Sequence, residues 1–143
     1  MGRSSGGGVH RGEPGLPAVV AAVAVGGVVG AEARYGLAVG LPHAPGAWAW
    51  STLIANVTGC LLIGVLMVLV GERIRHPLVR PLLGVGVLGG YTTFSTYTVD
   101  TLAAFGAGSA GPALLYLVLT PVLAVAAAAV GVASTRALLR DRV

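Results

Sequence analysis

Charge is what this 143-residue sequence has least of. Asp, Glu, Lys and Arg make up 10% of it, where a soluble domain carries about a quarter. That shortfall excludes a water-facing surface over most of the chain. Lysine is absent, so all nine cationic positions are Arg. The single cysteine, Cys60, excludes a disulfide framework and lies in an apolar run, where a thiol serves as a small buried hydrophobe. No His falls inside an apolar run, and no Ser–His–acid or metal-ligand grouping occurs, so the sequence offers no catalytic constellation. What remains is 55% hydrophobic, with a mean hydropathy of +0.87. This is the composition of an all-α integral membrane protein with room for four spans and short loops.

The spans read as about 17–41, 48–70, 79–105 and 112–136. They are flanked by a Gly/Ser/Arg-rich tail at 1–16, expected to be disordered, and a basic tail at 137–143. The first apolar stretch is too long, and lacks a suitable Ala-x-Ala-like site, for a cleaved signal peptide. The net charge of +4 invites a nucleic-acid reading, but the arginines cluster at span ends, where membrane proteins keep cations for orientation and anionic headgroups. No nucleic-acid partner is expected. With four spans, Arg3, Arg11, Arg73, Arg75, Arg80, Arg136, Arg140 and Arg142 fall on one side and Arg34 alone on the other. The positive-inside rule then puts both termini in the cytoplasm.

Within the first span, Gly26-x-x-x-Gly30 and Gly36-x-x-x-Gly40 have the small-residue spacing of close helix contacts. Glu32 and Arg34 then interrupt the apolar run. Two readings of Arg34 stand: it snorkels to the interface, or it lines a water-filled vestibule and concentrates anions there. His43 reads as a solvated loop residue, and Trp48 and Trp50 as an interfacial aromatic belt. The second span has no charge. Its Thr52 and Asn56, four apart, share a helical face. The Asn56 amide is either interhelical glue or a donor facing a pore. In the third span, Gly84-x-Gly86-x-x-Gly89 matches a dinucleotide fingerprint and is rejected: no strand precedes it, no acid follows about twenty residues on, and it sits in an apolar run.

The third span then carries Gly89-Gly90-Tyr91-Thr92-Thr93-Phe94-Ser95-Thr96-Tyr97. Two glycines followed by a hydroxyl-rich run make a poor lipid-facing helix, because Gly weakens a helix interior by about 1 kcal/mol and Ser and Thr compete for backbone hydrogen bonds. A broken backbone in hydrocarbon is tolerated only where protein, water or an ion satisfies it, so the third helix is expected to break mid-membrane at a functional site. Asp100 closes this span near an interface or vestibule. In the fourth, Tyr116 and Thr120 fall on one face.

This nonapeptide resembles the signature of the Fluc (CrcB-type) fluoride channels. Gly30-Ala31-Glu32-Ala33-Arg34-Tyr35 and Thr52-Leu53-Ile54-Ala55-Asn56-Val57-Thr58-Gly59 resemble that family's first- and second-helix patterns. The resemblance covers about Ala18 to Arg136. It implies a fluoride-specific channel in the bacterial plasma membrane that exports cytoplasmic fluoride down its gradient. It also implies an antiparallel, dual-topology dimer with two pores. A structural sodium ion at the dimer centre would be held by the backbone carbonyls of Gly89 and Thr92. Asn56 would be the pore amide with Thr52 one turn away, Phe94 and Tyr97 the aromatic box around Ser95, and Tyr116 and Thr120 the start of a polar track. Arg34 and Asp100 would belong to the vestibule.

This sequence departs from the family pattern at two positions. Tyr97 stands where the second box aromatic is usually Phe, and Ala124 where the track tends to carry another hydroxyl. A third oddity is the arginine bias, since an antiparallel homodimer requires one chain to insert both ways. The bias favours pairing with an oppositely oriented homologue over pairing with itself. The alternatives weighed are a non-conducting subunit of such a heterodimer and a small four-helix proton-coupled drug exporter. The exporter would need a carboxylate deep in the first span, whereas Glu32 lies near its end.

Overall fold

The computed structural model describes residues 14–140 and is all-helical. Helix α1 (Leu16–Gly40) starts with Pro17 in its first turn, where a missing N–H costs nothing. Helix α2 (Trp50–Glu72) follows a short loop. The third passage begins as a wide π-helical segment (Arg80–Leu88), tightens into one turn, α3 (Gly89–Tyr91), and resumes as α4 (Ser95–Gly106). The last helix, α5 (Ala110–Arg140), closes the bundle. Three of these, α1, α2 and α5, are each long and apolar enough to cross a membrane.

Several expected boundaries shift. The first helix begins at Leu16, inside the stretch assigned to the tail; residues 1–13 lie outside those described. The helix runs unbroken through Glu32 and Arg34, as the expected span of about 17–41 has it. The second starts at Trp50 rather than at Trp48. The fourth continues four residues past the expected end, making Ala137–Arg140 helix rather than tail; 141–143 are not described.

Packing divides the bundle into two tight pairs, α1 against the π segment and α3, and α2 against α5. Both pairs depend on missing side chains. A Cβ on Gly30 would strike the Val87 carbonyl and lie 2.8 Å from the Tyr91 nitrogen; one on Gly86 would lie 2.8 Å from the Gly26 Cα. Gly64 and Gly131 make the equivalent contact between α2 and α5. Backbones this close gain van der Waals contact, the main attraction between helices in lipid. The Gly36–Gly40 pair meets nothing. Outside the contacts the surface is oily: Val20, Val25, Val28 and Val29 on α1, and Leu114, Leu115, Val118, Val122 and Val125 on α5, are exposed. Continuous apolar faces of this size belong against lipid or another protein.

Candidate functional site

The third passage leaves helical geometry at Thr92, whose φ of −79° and ψ of 157° are extended. Side chains hold this break open. Asn56 on α2 clamps Thr93 from both ends of its amide: Oδ1 accepts the Thr93 N–H at 2.8 Å, and Nδ2 donates to the Thr93 carbonyl at 2.9 Å. In a continuous α-helix that N–H would reach the Gly89 carbonyl. One residue on, Thr93 Oγ1 accepts the Thr96 N–H at 3.2 Å, the donor a helix would give to Thr92. The Gly89 and Thr92 carbonyls are thereby deprived of their helical donors. The Gly90 carbonyl between them is engaged by Arg34 Nε at 3.2 Å.

Arg34 on α1 thus contacts the break through its Nε. It reaches the break because Gly90 lets α3 approach the α1 backbone, a Cβ on Gly90 lying 3.1 Å from the Gly27 Cα. Asp100, on α4, accepts from Thr52 Oγ1 at 2.7 Å and lies 3.8 Å from His43 Nε2. His43 is an exposed loop residue, as expected, that approaches α4 through Asp100.

A cavity of about 440 Å³ opens beside the break. Six of the expected residues line it: Asn56, Gly89, Thr92, Phe94, Tyr97 and Thr120. Cys60, Thr93, Pro121 and Ala124 are also on its wall, and no charged side chain is. Phe94 is 79% exposed, pointing away from its own chain. Ser95 is exposed and absent from the wall, with its hydroxyl 3.3 Å from that of Thr93. Thr52 is buried and occupied with Asp100. Tyr116 stacks on Tyr97 with ring centroids 5.6 Å apart, and the edge of Trp48 meets it at 5.9 Å. Trp48 thus packs inward against the core, and only Trp50 remains outward as a belt residue would. Among the described residues, two buried hydroxyls one turn apart on α5, Tyr116 Oη and Thr120 Oγ1, have no partner at full hydrogen-bond geometry, with Tyr116 lying against both Thr120 and Thr52. Buried polar atoms are almost always paired, so these neighbours form a short polar strip on α5, with Thr120 at the cavity wall.

The hydroxyl of Tyr97 has a clear destination. Pro121 lies inside α5 and has no N–H to give to the carbonyl of Leu117 four residues before it. The Tyr97 hydroxyl donates to that Leu117 carbonyl. The Tyr97 oxygen is thus taken up by a proline-orphaned acceptor. Sequence reading recorded the tyrosine and overlooked Pro121, the residue that explains it.

The sequence profile of the family described as CrcB-like protein, Camphor Resistance (CrcB), matches residues 21–132. A protein of Streptomyces coelicolor named fluoride-specific ion channel FluC 1 is 46% identical over 125 residues, covering 87% of this chain and 81% of its own. Fluoride-specific ion channel FluC 2 of Thermobifida fusca is 51% identical over 115 residues, covering 78% and 85%. A FluC of Rhodospirillum centenum is 41% identical over 121 residues, covering 82% and 95%. With the profile spanning most of the chain and these relatives aligned along nearly their whole length, the chain belongs to the CrcB family.

Proposed function

We propose that this chain is a fluoride-specific ion channel subunit that lets cytoplasmic fluoride leave down its electrochemical gradient. The observation that carries this reading is the uncharged cavity beside the break, lined by the Asn56 amide and the Thr120 hydroxyl, with the Tyr116 hydroxyl buried one turn away. Fluoride is small, strongly hydrated and a strong hydrogen-bond acceptor, so a dry path must replace its water with donors. Hydroxyls and amides supply them. Asn56 spends one amide hydrogen on Thr93 and keeps a second for the cavity. The ring edges of Phe94 and Tyr97 add weaker positive contacts. The absence of a fixed cation on this wall suits conduction, which needs sites strong enough to enter and weak enough to leave. The drug-exporter reading finds no support, and the relatives are named as fluoride channels.

The break carries the second half of the reading. Carbonyls withheld from their helical donors are the ligands a hard monovalent cation takes, so Gly89 and Thr92 fit a structural sodium ion. When bound, the ion supplies positive charge that satisfies those carbonyls inside the membrane. Asn56 and Thr93 do the chain's part by holding the competing N–H groups away. A dimer with an antiparallel copy would bring two such breaks together mid-membrane and cover the exposed Phe94. The arginine distribution favours an oppositely oriented homologue as that copy, with both termini of this chain cytoplasmic. Arg73, Arg136 and Arg140 line one cleft at the end of the α2/α5 pair.

The test is Thr120→Val, which removes the hydroxyl at the cavity wall and keeps the shape. Fluoride efflux from proteoliposomes containing the assembled channel should fall about tenfold, the worth of one hydrogen bond to an anion. Unchanged efflux would remove Thr120 from the path.

A further inference from the structure

The end of the α2/α5 pair carries a cleft of about 790 Å³ lined by Glu72, Arg73, Arg136, Leu139 and Arg140. Glu72 is the last residue of α2, and Arg140 the last of α5. Arg136 and Arg140 are one turn apart on the same face. Among the described residues no carboxylate lies within 4.0 Å of any of the three guanidiniums. The cleft therefore carries three cations against one acid. Three guanidiniums lining one cleft suit a phosphate, since guanidinium geometry matches its oxygens two at a time.

A second groove shows which phosphate. It holds about 260 Å³, shares Glu72 and Arg136 with the cleft, and runs deeper between α2 and α5 along Met67, Val68, Gly71 and Val132. Gly71 leaves open space there: a Cβ added to it would touch nothing. The site thus has a cationic head and an apolar tail in series, aligned with the long axis of two spanning helices. A free phosphate has no use for the tail, and a hydrocarbon chain has no use for the head.

We infer that this cleft is a binding site for one anionic glycerophospholipid. The phosphate rests on Arg73, Arg136 and Arg140, a headgroup hydroxyl donates to Glu72, and an acyl chain follows the groove past Gly71. The site lies on the α2/α5 pair, away from the cavity, and so does not rest on the fluoride reading.

The experiment is native mass spectrometry of the detergent-purified full chain, counting retained phosphatidylglycerol against phosphatidylcholine. The wild-type chain should keep one phosphatidylglycerol selectively. R136Q/R140Q should weaken that retention about thirtyfold, each arginine contributing about fivefold. R75Q/R80Q, which removes the same charge outside the cleft, should leave it unchanged. G71L, which fills the groove and spares every charge, should lower retention of the lipid and not the binding of inorganic phosphate. Equal losses in R75Q/R80Q and R136Q/R140Q would overturn the site in favour of diffuse attraction. Retention insensitive to G71L, with inorganic phosphate displacing the lipid, would overturn the lipid assignment. Folding of each variant is read from its helical circular dichroism, and the arginine variants lie outside the packed interior.

Discussion

The pairing of Tyr97 with the carbonyl that Pro121 leaves bare makes a sharp prediction. Tyr97→Phe keeps the ring, and with it the contacts at 5.6 Å to both Phe94 and Tyr116. It removes one oxygen from a side chain only 6% exposed. The Leu117 carbonyl is then left without either its helical donor or its substitute, which costs about 1–3 kcal/mol. That is roughly one to two orders of magnitude in the folding equilibrium. Pro121→Ala restores an N–H at the fourth residue, so in that background Tyr97→Phe should cost far less. The double-mutant cycle should therefore show a coupling of about 1 kcal/mol or more between two residues 24 positions apart in sequence. Unfolding in mixed detergent micelles, followed by circular dichroism for all four proteins, gives the cycle. Fluoride efflux of Tyr97→Phe should match the wild type, because the hydroxyl is turned toward α5 rather than left free in the cavity. Additive effects would refute the link, and a large change in efflux with no change in stability would place the hydroxyl in the ion path instead.

Other expectations follow from the same contacts. Gly30→Ala drives a methyl into the Val87 carbonyl and should cost about 1–3 kcal/mol in thermal unfolding, while Gly36→Ala, with open space around it, should be silent. Replacing sodium with choline should lower the melting temperature of the assembled wild-type channel. Asn56→Leu, which loses both clamp bonds, should abolish that sodium dependence. Asn56→Asp, which keeps an acceptor for the Thr93 N–H, should retain the sodium dependence yet lose fluoride efflux to the new negative charge. A sodium response that survives Asn56→Leu would separate the clamp from the cation. Thr52→Val removes the 2.7 Å bond to Asp100 and should loosen the α2–α4 contact, seen as faster amide exchange at the start of α4.

Much of this could be read from the residues, and the exceptions have physical causes. Four passages follow from apolar run length alone. The break follows from Gly89-Gly90 and the hydroxyls after it, because local composition there opposes a helix. The clamp was half legible: Asn56 was plainly a buried amide needing partners, but they lie 37 residues away and sequence does not give helix rotation. The Arg34 contact with Gly90 was not legible, because its reach depends on how closely Gly90 lets α3 approach α1. The helix end at Arg140 was misjudged because arginines suit a helix terminus as well as a tail. The destination of the Tyr97 hydroxyl could have been found by asking which donor serves the carbonyl four residues before Pro121.

The most direct test of the central claim is ion efflux from proteoliposomes containing this chain together with a homologue of opposite charge bias, read with fluoride and chloride electrodes. The account predicts rapid loss of fluoride while chloride stays inside, and no comparable flux from this chain by itself. Chloride leaving as fast as fluoride, or no fluoride efflux from the pair, would contradict it.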